Sequence, residues 1–131
     1  MESLLYVGVG GFLGANARYL LSLGSNHVLT PLLGNFPYGT LVVNVAGSFG
    51  LALFGIWFGA RTGLSPQLRL LIGSGFFGAF TTFSAFANES YILADDGRIT
   101  LFLLNAMLNY GLCLLGVAFG ILLGSRLFGA A

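Results

Sequence analysis

The sequence predicts an all-α integral membrane protein, four transmembrane helices in one domain spanning residues 1–131. Three observations predict it. Of the 131 residues, 56% are hydrophobic and 7% charged, with no lysine, whereas soluble domains carry about a quarter charged residues. Apolar runs of about 20 residues, the length that crosses a ~30 Å hydrocarbon core, recur along the chain. The segments between them are short and rich in Gly, Pro, Asn and Asp.

The first span is expected over about 4–23, with the chain start read as the beginning of that span because no basic stretch precedes it. A loop follows over 24–37, which contains Asn26, Gly34, Asn35 and Pro37. The second span is expected over about 38–60, followed by a turn over 61–66. The third covers about 66–93 and holds the most informative stretch, Gly75-Phe76-Phe77-Gly78-Ala79-Phe80-Thr81-Thr82-Phe83-Ser84-Ala85-Phe86. Paired glycines, adjacent threonines and five phenylalanines are poor material for a continuous helix. A break in the middle of the membrane is therefore expected near 75–81. In lipid, such backbone survives only where protein or a water-filled cavity satisfies its polar groups, and broken helices form ion sites in this way. A turn over 94–98 leads to the fourth span, about 99–127.

Charge placement is nearly balanced. With four spans, Arg61, Arg69 and Arg126 fall on one side, against Arg98 and a snorkelling Arg18 on the other. Orientation follows Lys/Arg excess, and three against two leaves two readings: a single arginine decides for one side, or both orientations are inserted. Small residues four apart, Gly10 with Gly14, Ala46 with Gly50, Gly55 with Gly59, and Gly116 with Gly120 and Gly124, drive helix association in lipid. Together these observations point to an antiparallel, dual-topology dimer.

Polar residues within the spans form two tracks. Thr40, Asn44 and Ser48 share one face of the second span. Asn105, Asn109 and Cys113 share one face of the fourth. Thr81, Thr82 and Ser84 lie at the expected break. An isolated amide of this kind usually makes an interhelical hydrogen bond worth about 0.6 kcal/mol. Two amide-bearing tracks beside a broken helix instead suit an anion, since they offer donors without a cationic trap. Phe83 and Phe86, three apart, could present their positive ring edges to such an ion. An isolated phenylalanine in a span is usually packing.

These motifs resemble the small bacterial fluoride channels, the Fluc/CrcB family. Gly10-Gly11-Phe12-Leu13-Gly14-Ala15-Asn16-Ala17-Arg18-Tyr19 resembles the glycine-rich first helix. Gly39-Thr40-Leu41-Val42-Val43-Asn44 with Gly47-Ser48 resembles the second-helix signature, and the Thr-Thr-Phe-Ser-x-Phe motif at 81–86 resembles the third. The resemblance implies a fluoride-selective channel for passive export that lowers cytoplasmic fluoride and confers resistance. It also implies an antiparallel homodimer with two pores and a multi-pass location in the bacterial inner membrane. It assigns the pore to Phe83, Phe86, Asn44, Thr40, Ser84, Asn105, Asn109 and Cys113. It further assigns a structural sodium ion (Na+) at the dimer interface to the backbone carbonyls of Gly78 and Thr81. Cys113 stands where serine is usual, and Ala85 replaces a more typical threonine. Arg18 and Glu89 match charged positions near the pore ends.

Other classes fit less well. A coupled transporter needs a titratable group within the membrane, and Glu89, the one acidic residue of the third span, lies near its end. A scaffold subunit would explain the glycine faces but not the polar tracks. A net charge of +1 gives no basic patch for nucleic acid. His27 sits in the expected loop, the lone Cys113 has no partner, and no nucleophile–base or metal-ligand spacing indicates an enzyme.

Overall fold

The computed structural model describes residues 1–129. Helix α1 is Glu2–Leu33 and α2 is Tyr38–Gly59. A short α3, Pro66–Arg69, runs into a π-helical stretch, Leu70–Phe77, and then α4, Gly78–Phe80. Two extended residues, Thr81 and Thr82, precede α5, Phe83–Asp95. Helix α6, Ile99–Phe128, completes the described residues. Four segments are long and apolar enough to cross a membrane: Glu2–Leu33, Tyr38–Gly59, Pro66–Asp95 and Ile99–Phe128.

The burial pattern is that of a protein whose solvent is lipid. Among the described residues the buried apolar side chains are Val43, Phe80 and Leu93, whereas Thr40, Ser90, Asn105 and Asn109 are buried polar ones. Leucines, phenylalanines and tyrosines cover the outside. In water this arrangement would expose far more apolar surface than a soluble monomer tolerates. In a bilayer it is the expected one. The chain is a multi-pass membrane protein.

Local chemistry sets the ends of the elements. Ser65 Oγ accepts from Leu68 N at 3.3 Å, and Pro66 takes the first helical position, where its missing N–H costs nothing. At the same end, the Arg61 guanidinium lies 5.1 Å from the centroid of the Trp57 ring, a cation–π pairing suited to the membrane interface.

The structure corrects the expected loop at 24–37, because α1 continues to Leu33 with Pro31 inside it. Asn26, read as a loop residue, lies on α1 and accepts the Gly39 N–H at 2.8 Å. It thereby satisfies one of the free N–H groups at the start of α2. The helix stops where Gly34 takes φ +87°, a conformation open to glycine. The Tyr38 hydroxyl donates to the Leu33 carbonyl at 2.9 Å.

The third segment also departs from expectation. Residues 75–80 are helical, and the extended residues are Thr81 and Thr82, with ψ of 157° and 114°. The glycines here serve close packing. A Cβ at Gly10 would run into the Leu71 carbonyl oxygen, and one at Gly14 would run into that of Phe76. From the other side, a Cβ at Gly75 would lie 2.8 Å from the Val7 oxygen. The two backbones therefore touch, which holds the wider π-helical turn against α1.

The remaining small-residue faces are also largely used within the chain. Gly116 and Gly120 approach the backbone of α2 at Val45 and Phe49, and Gly124 meets Ile56. Gly50 meets the Phe77 ring, while Gly55 and Gly59 face open space.

Candidate functional site

The site forms where α4 ends. A helix that stops inside an apolar protein leaves backbone groups without partners. Asn44 of α2 and the N-cap Thr82 satisfy them. Asn44 Oδ1 accepts the Thr82 N–H at 2.8 Å, and Asn44 Nδ2 donates to the Thr82 carbonyl at 3.1 Å. One amide thus pairs with both backbone groups of one residue, as a neighbouring strand would. Thr82 Oγ1 in turn accepts from Ala85 N at 3.2 Å and caps α5. It also lies 3.2 Å from Ser84 Oγ. Thr81 Oγ1 donates back to the Phe77 carbonyl at 3.1 Å.

Two cavities meet at Thr82. The first, of about 410 Å³, is walled by Asn44, Ser48, Phe83, Phe86, Asn109 and Cys113 and carries no charged side chain on its wall. The Phe83 and Phe86 ring centroids are 5.6 Å apart, with the planes tilted by 57°. Phe83 is 78% exposed, so its ring stands at the mouth. The second cavity, of about 580 Å³, is lined by Arg18, Ser22, Thr40, Ser84 and Glu89 on the other side of Thr82. Glu89 Oε1 accepts from the Thr40 hydroxyl at 2.7 Å, while Oε2 is buried without a protein partner. A third cavity shares Asn26 and Glu89 with the second and opens toward Asn35, Asp96 and Arg98. There the Arg98 guanidinium donates to the Asn35 carbonyl and ties the two connections together.

The sequence-predicted residues therefore divide. Phe83, Phe86, Asn44, Asn109 and Cys113 line the first cavity together. Thr40 and Ser84 line the second. Asn105 lines neither and is fully buried, with 0% exposure. Its Nδ2 donates to Ser90 Oγ at 2.9 Å, and its Oδ1 accepts from Asn109 Nδ2 at 2.9 Å. Asn109 Oδ1 then accepts from Asn44 Nδ2 at 3.2 Å.

Sequence reasoning missed Ser90, Asn26 and Tyr110, the last on the wall of the first cavity. Ser90 was within reach, since it lies four residues after Phe86 and seven after Phe83, on the same helical face. Asn26 was hidden by the turn-like composition around it.

The arrangement also bears on a cation. No cluster of His, Cys, Asp or Glu suited to a metal occurs among the described residues. In a continued α-helix the Thr82 N–H would bond the Gly78 carbonyl, but it goes to Asn44 Oδ1 instead. The Gly78 carbonyl thus lacks that donor. Gly78 is exposed, with no neighbour within 4 Å of the place a Cβ would occupy. A backbone carbonyl oxygen on an exposed residue is the kind of ligand a hard cation takes.

Comparison with known proteins agrees with the geometry. Residues 5–121 match the family described as CrcB-like protein, Camphor Resistance (CrcB). The chain is 43% identical over 123 residues to a "Fluoride-specific ion channel FluC" of Shewanella halifaxensis (strain HAW-EB4), covering 92% of this chain and 94% of that one. It is 42% identical over 121 residues to the protein of the same name in Shewanella denitrificans, and 44% identical over 122 residues to that of Shewanella sp. (strain ANA-3), with the same coverage. These relatives are named as channels, not as enzymes. The chain belongs to the CrcB-like family.

Proposed function

We propose that the chain is a fluoride-selective channel for passive fluoride export across the bacterial inner membrane, lowering cytoplasmic fluoride. The observation that carries this reading is the uncharged cavity at the start of α5, walled by amides, a thiol and a phenylalanine pair. Fluoride is small and strongly hydrated, so it needs several donors to replace water. Hydroxyls, the positive edges of aromatic rings and the N-terminal end of α5 supply them without a fixed cation to hold the ion in place. Relatives named as fluoride-specific channels supply the identity of the ion.

In this reading Phe83 and Phe86 are the ion's ring partners, with Asn44, Asn109 and Cys113 on the same wall and Thr40 and Ser84 on the approach. The working unit is an antiparallel homodimer with two pores, and the third segment breaks at Thr81–Thr82 at mid-membrane depth. The Gly78 and Thr81 carbonyls of two copies would hold a sodium ion between them. Bound there, the ion would supply a fixed positive charge at the dimer axis.

Purified protein in fluoride-loaded liposomes tests the reading. Fluoride should leave once a potassium ionophore supplies counter-charge, and chloride should stay. Release that requires a proton gradient would favour a coupled exchanger working through Glu89. Cysteine labels in the 94–98 turn, in a Cys113→Ser background, should react from both faces of intact cells. Labelling from one face alone would end the dual-topology reading.

A further inference from the structure

The geometry points to Ser90 and Asn105 as positioning residues that set the backbone of Thr82 through Asn109 and Asn44. The inference deepens the channel reading and rests on it for its flux arm alone.

The chain of bonds runs from α5 through α6 and α2 to the extended residues. Ser90 Oγ accepts from Asn105 Nδ2 at 2.9 Å, and Asn105 Oδ1 accepts from Asn109 Nδ2 at 2.9 Å. Asn109 Oδ1 accepts from Asn44 Nδ2 at 3.2 Å, and Asn44 Oδ1 accepts from Thr82 N at 2.8 Å. Ser90, Asn105 and Asn109 are all buried. Neither Ser90 nor Asn105 lines any of the three cavities described above.

An amide side chain alone does not reveal which end is oxygen. Here the backbone decides. A peptide N–H can only donate, so the Thr82 N–H requires Asn44 Oδ1 to face it. Asn44 Nδ2 must then point at the Thr82 carbonyl and at Asn109. Its two hydrogens have two acceptors, which leaves no free N–H. That in turn orients Asn109, Asn109 orients Asn105, and Asn105 requires an acceptor at Ser90. A reversal at any link would set two carbonyls or two NH2 groups face to face in a buried, low-dielectric place, where unpaired polar groups are costly. Ser90 is thus the far end of a directional chain. Losing it orphans Asn105 Nδ2 and loosens every amide between it and Thr82. In this arrangement Asn44 acts on the conduction path mainly by holding Thr82, and hence the start of α5.

Amide hydrogen exchange at Thr82, followed by NMR on 15N-labelled protein in nanodiscs, tests the chain without any need for conduction. Ser90→Ala should speed exchange of the Thr82 N–H about tenfold, roughly the loss of one buried hydrogen bond. Ser90→Thr should bring it back near the parent rate. Ser74→Ala, at an exposed position on the same segment, should leave it alone. In an Asn44→Ala background, Ser90→Ala should add nothing, because the link it works through is gone. If Ser90→Ala does not fold, Ser90→Cys is read in the same way, since a thiol keeps the volume and accepts weakly. An unchanged Thr82 rate in the Ser90 variant overturns the proposal. So does an effect that adds in full on top of Asn44→Ala. For flux, the Ser90→Ala, Asn44→Ala double variant should pass fluoride no more slowly than Asn44→Ala. Parent vesicles that do not release fluoride would count against the channel reading and leave the exchange result standing.

Discussion

The contact of α1 with the third segment and the amide-filled part of the α2–α6 contact, beside Thr82, are built by opposite means. The first is backbone against backbone. Gly10, Gly14 and Gly75 carry no side chain into the seam, so that carbonyl oxygens sit at or near where a Cβ would be. The second is wide enough for whole amides, and Asn44, Asn109 and Asn105 fill it with hydrogen bonds. Lipid supplies no hydrophobic drive to hold helices together, so close packing and internal hydrogen bonds must do it. This protein uses both, and at α2–α6 the close packing of Gly116 and Gly120 adjoins the amides. The glycine seam fixes the distance between segments but offers an ion nothing. The amide seam fixes orientation and also borders a cavity.

Filling the glycine seam should do the most damage. Gly14→Val places a Cβ against the Phe76 carbonyl, which belongs to a backbone packed against α1 and has nowhere to move. The expected outcome is loss of the monodisperse peak on a sizing column. A folded, stable variant would mean that the seam is looser than this packing implies.

Next in size is the ring pair at the mouth of the amide-walled cavity. Phe83→Ile or Phe86→Ile keeps apolar bulk and removes the ring quadrupole. Fluoride release should slow by orders of magnitude while assembly is retained, and Phe12→Ile on α1 should be mild. Near-normal release from both ring variants would reduce the pair to packing, at a stability cost below about 1.5 kcal/mol.

A smaller effect is expected at the polar end of α1. Asn26→Ala removes the acceptor for the Gly39 N–H. By analogy with helix caps it should cost about 1 kcal/mol, read as a lower denaturation midpoint in detergent. No change would show that water takes over the N–H.

The mildest change separates glycines that pack from those that do not. Nothing lies within 4 Å of the place a Cβ at Gly55 would occupy, so Gly55→Ala should change the stability of the subunit by no more than about 0.5 kcal/mol, read from its thermal midpoint. A change in its oligomeric state on the sizing column would instead locate a partner's surface on that face.

Much of this was legible in the sequence because lipid imposes strong rules on composition. Apolar length alone marks four spans, and polar residues at four-residue spacing mark the inward faces of α2 and α6. The cavity residues Asn44, Asn109, Cys113, Phe83 and Phe86 were all singled out from spacing and residue type. Where the backbone leaves the helix was not legible. Glycine-rich composition favours a break at 75–81, but the same glycines can serve close approach to α1, and here they do. The extended residues are Thr81 and Thr82, whose free groups Asn44 and the Thr82 hydroxyl can satisfy.

Local composition and helical periodicity were enough to establish that the chain lives in a membrane, how many times it can cross, and which faces carry polar groups. The length of α1 needed the folded chain: the helix runs on to Leu33, and Asn26 on it meets the Gly39 N–H of α2 across the turn. So did the separation of Asn105 from the cavity wall, because burial depends on which neighbour a helix face meets. The link from Ser90 to Thr82 needed it most. The direction of a hydrogen-bond chain is set by partners far apart in sequence, and no local pattern records which of them will meet.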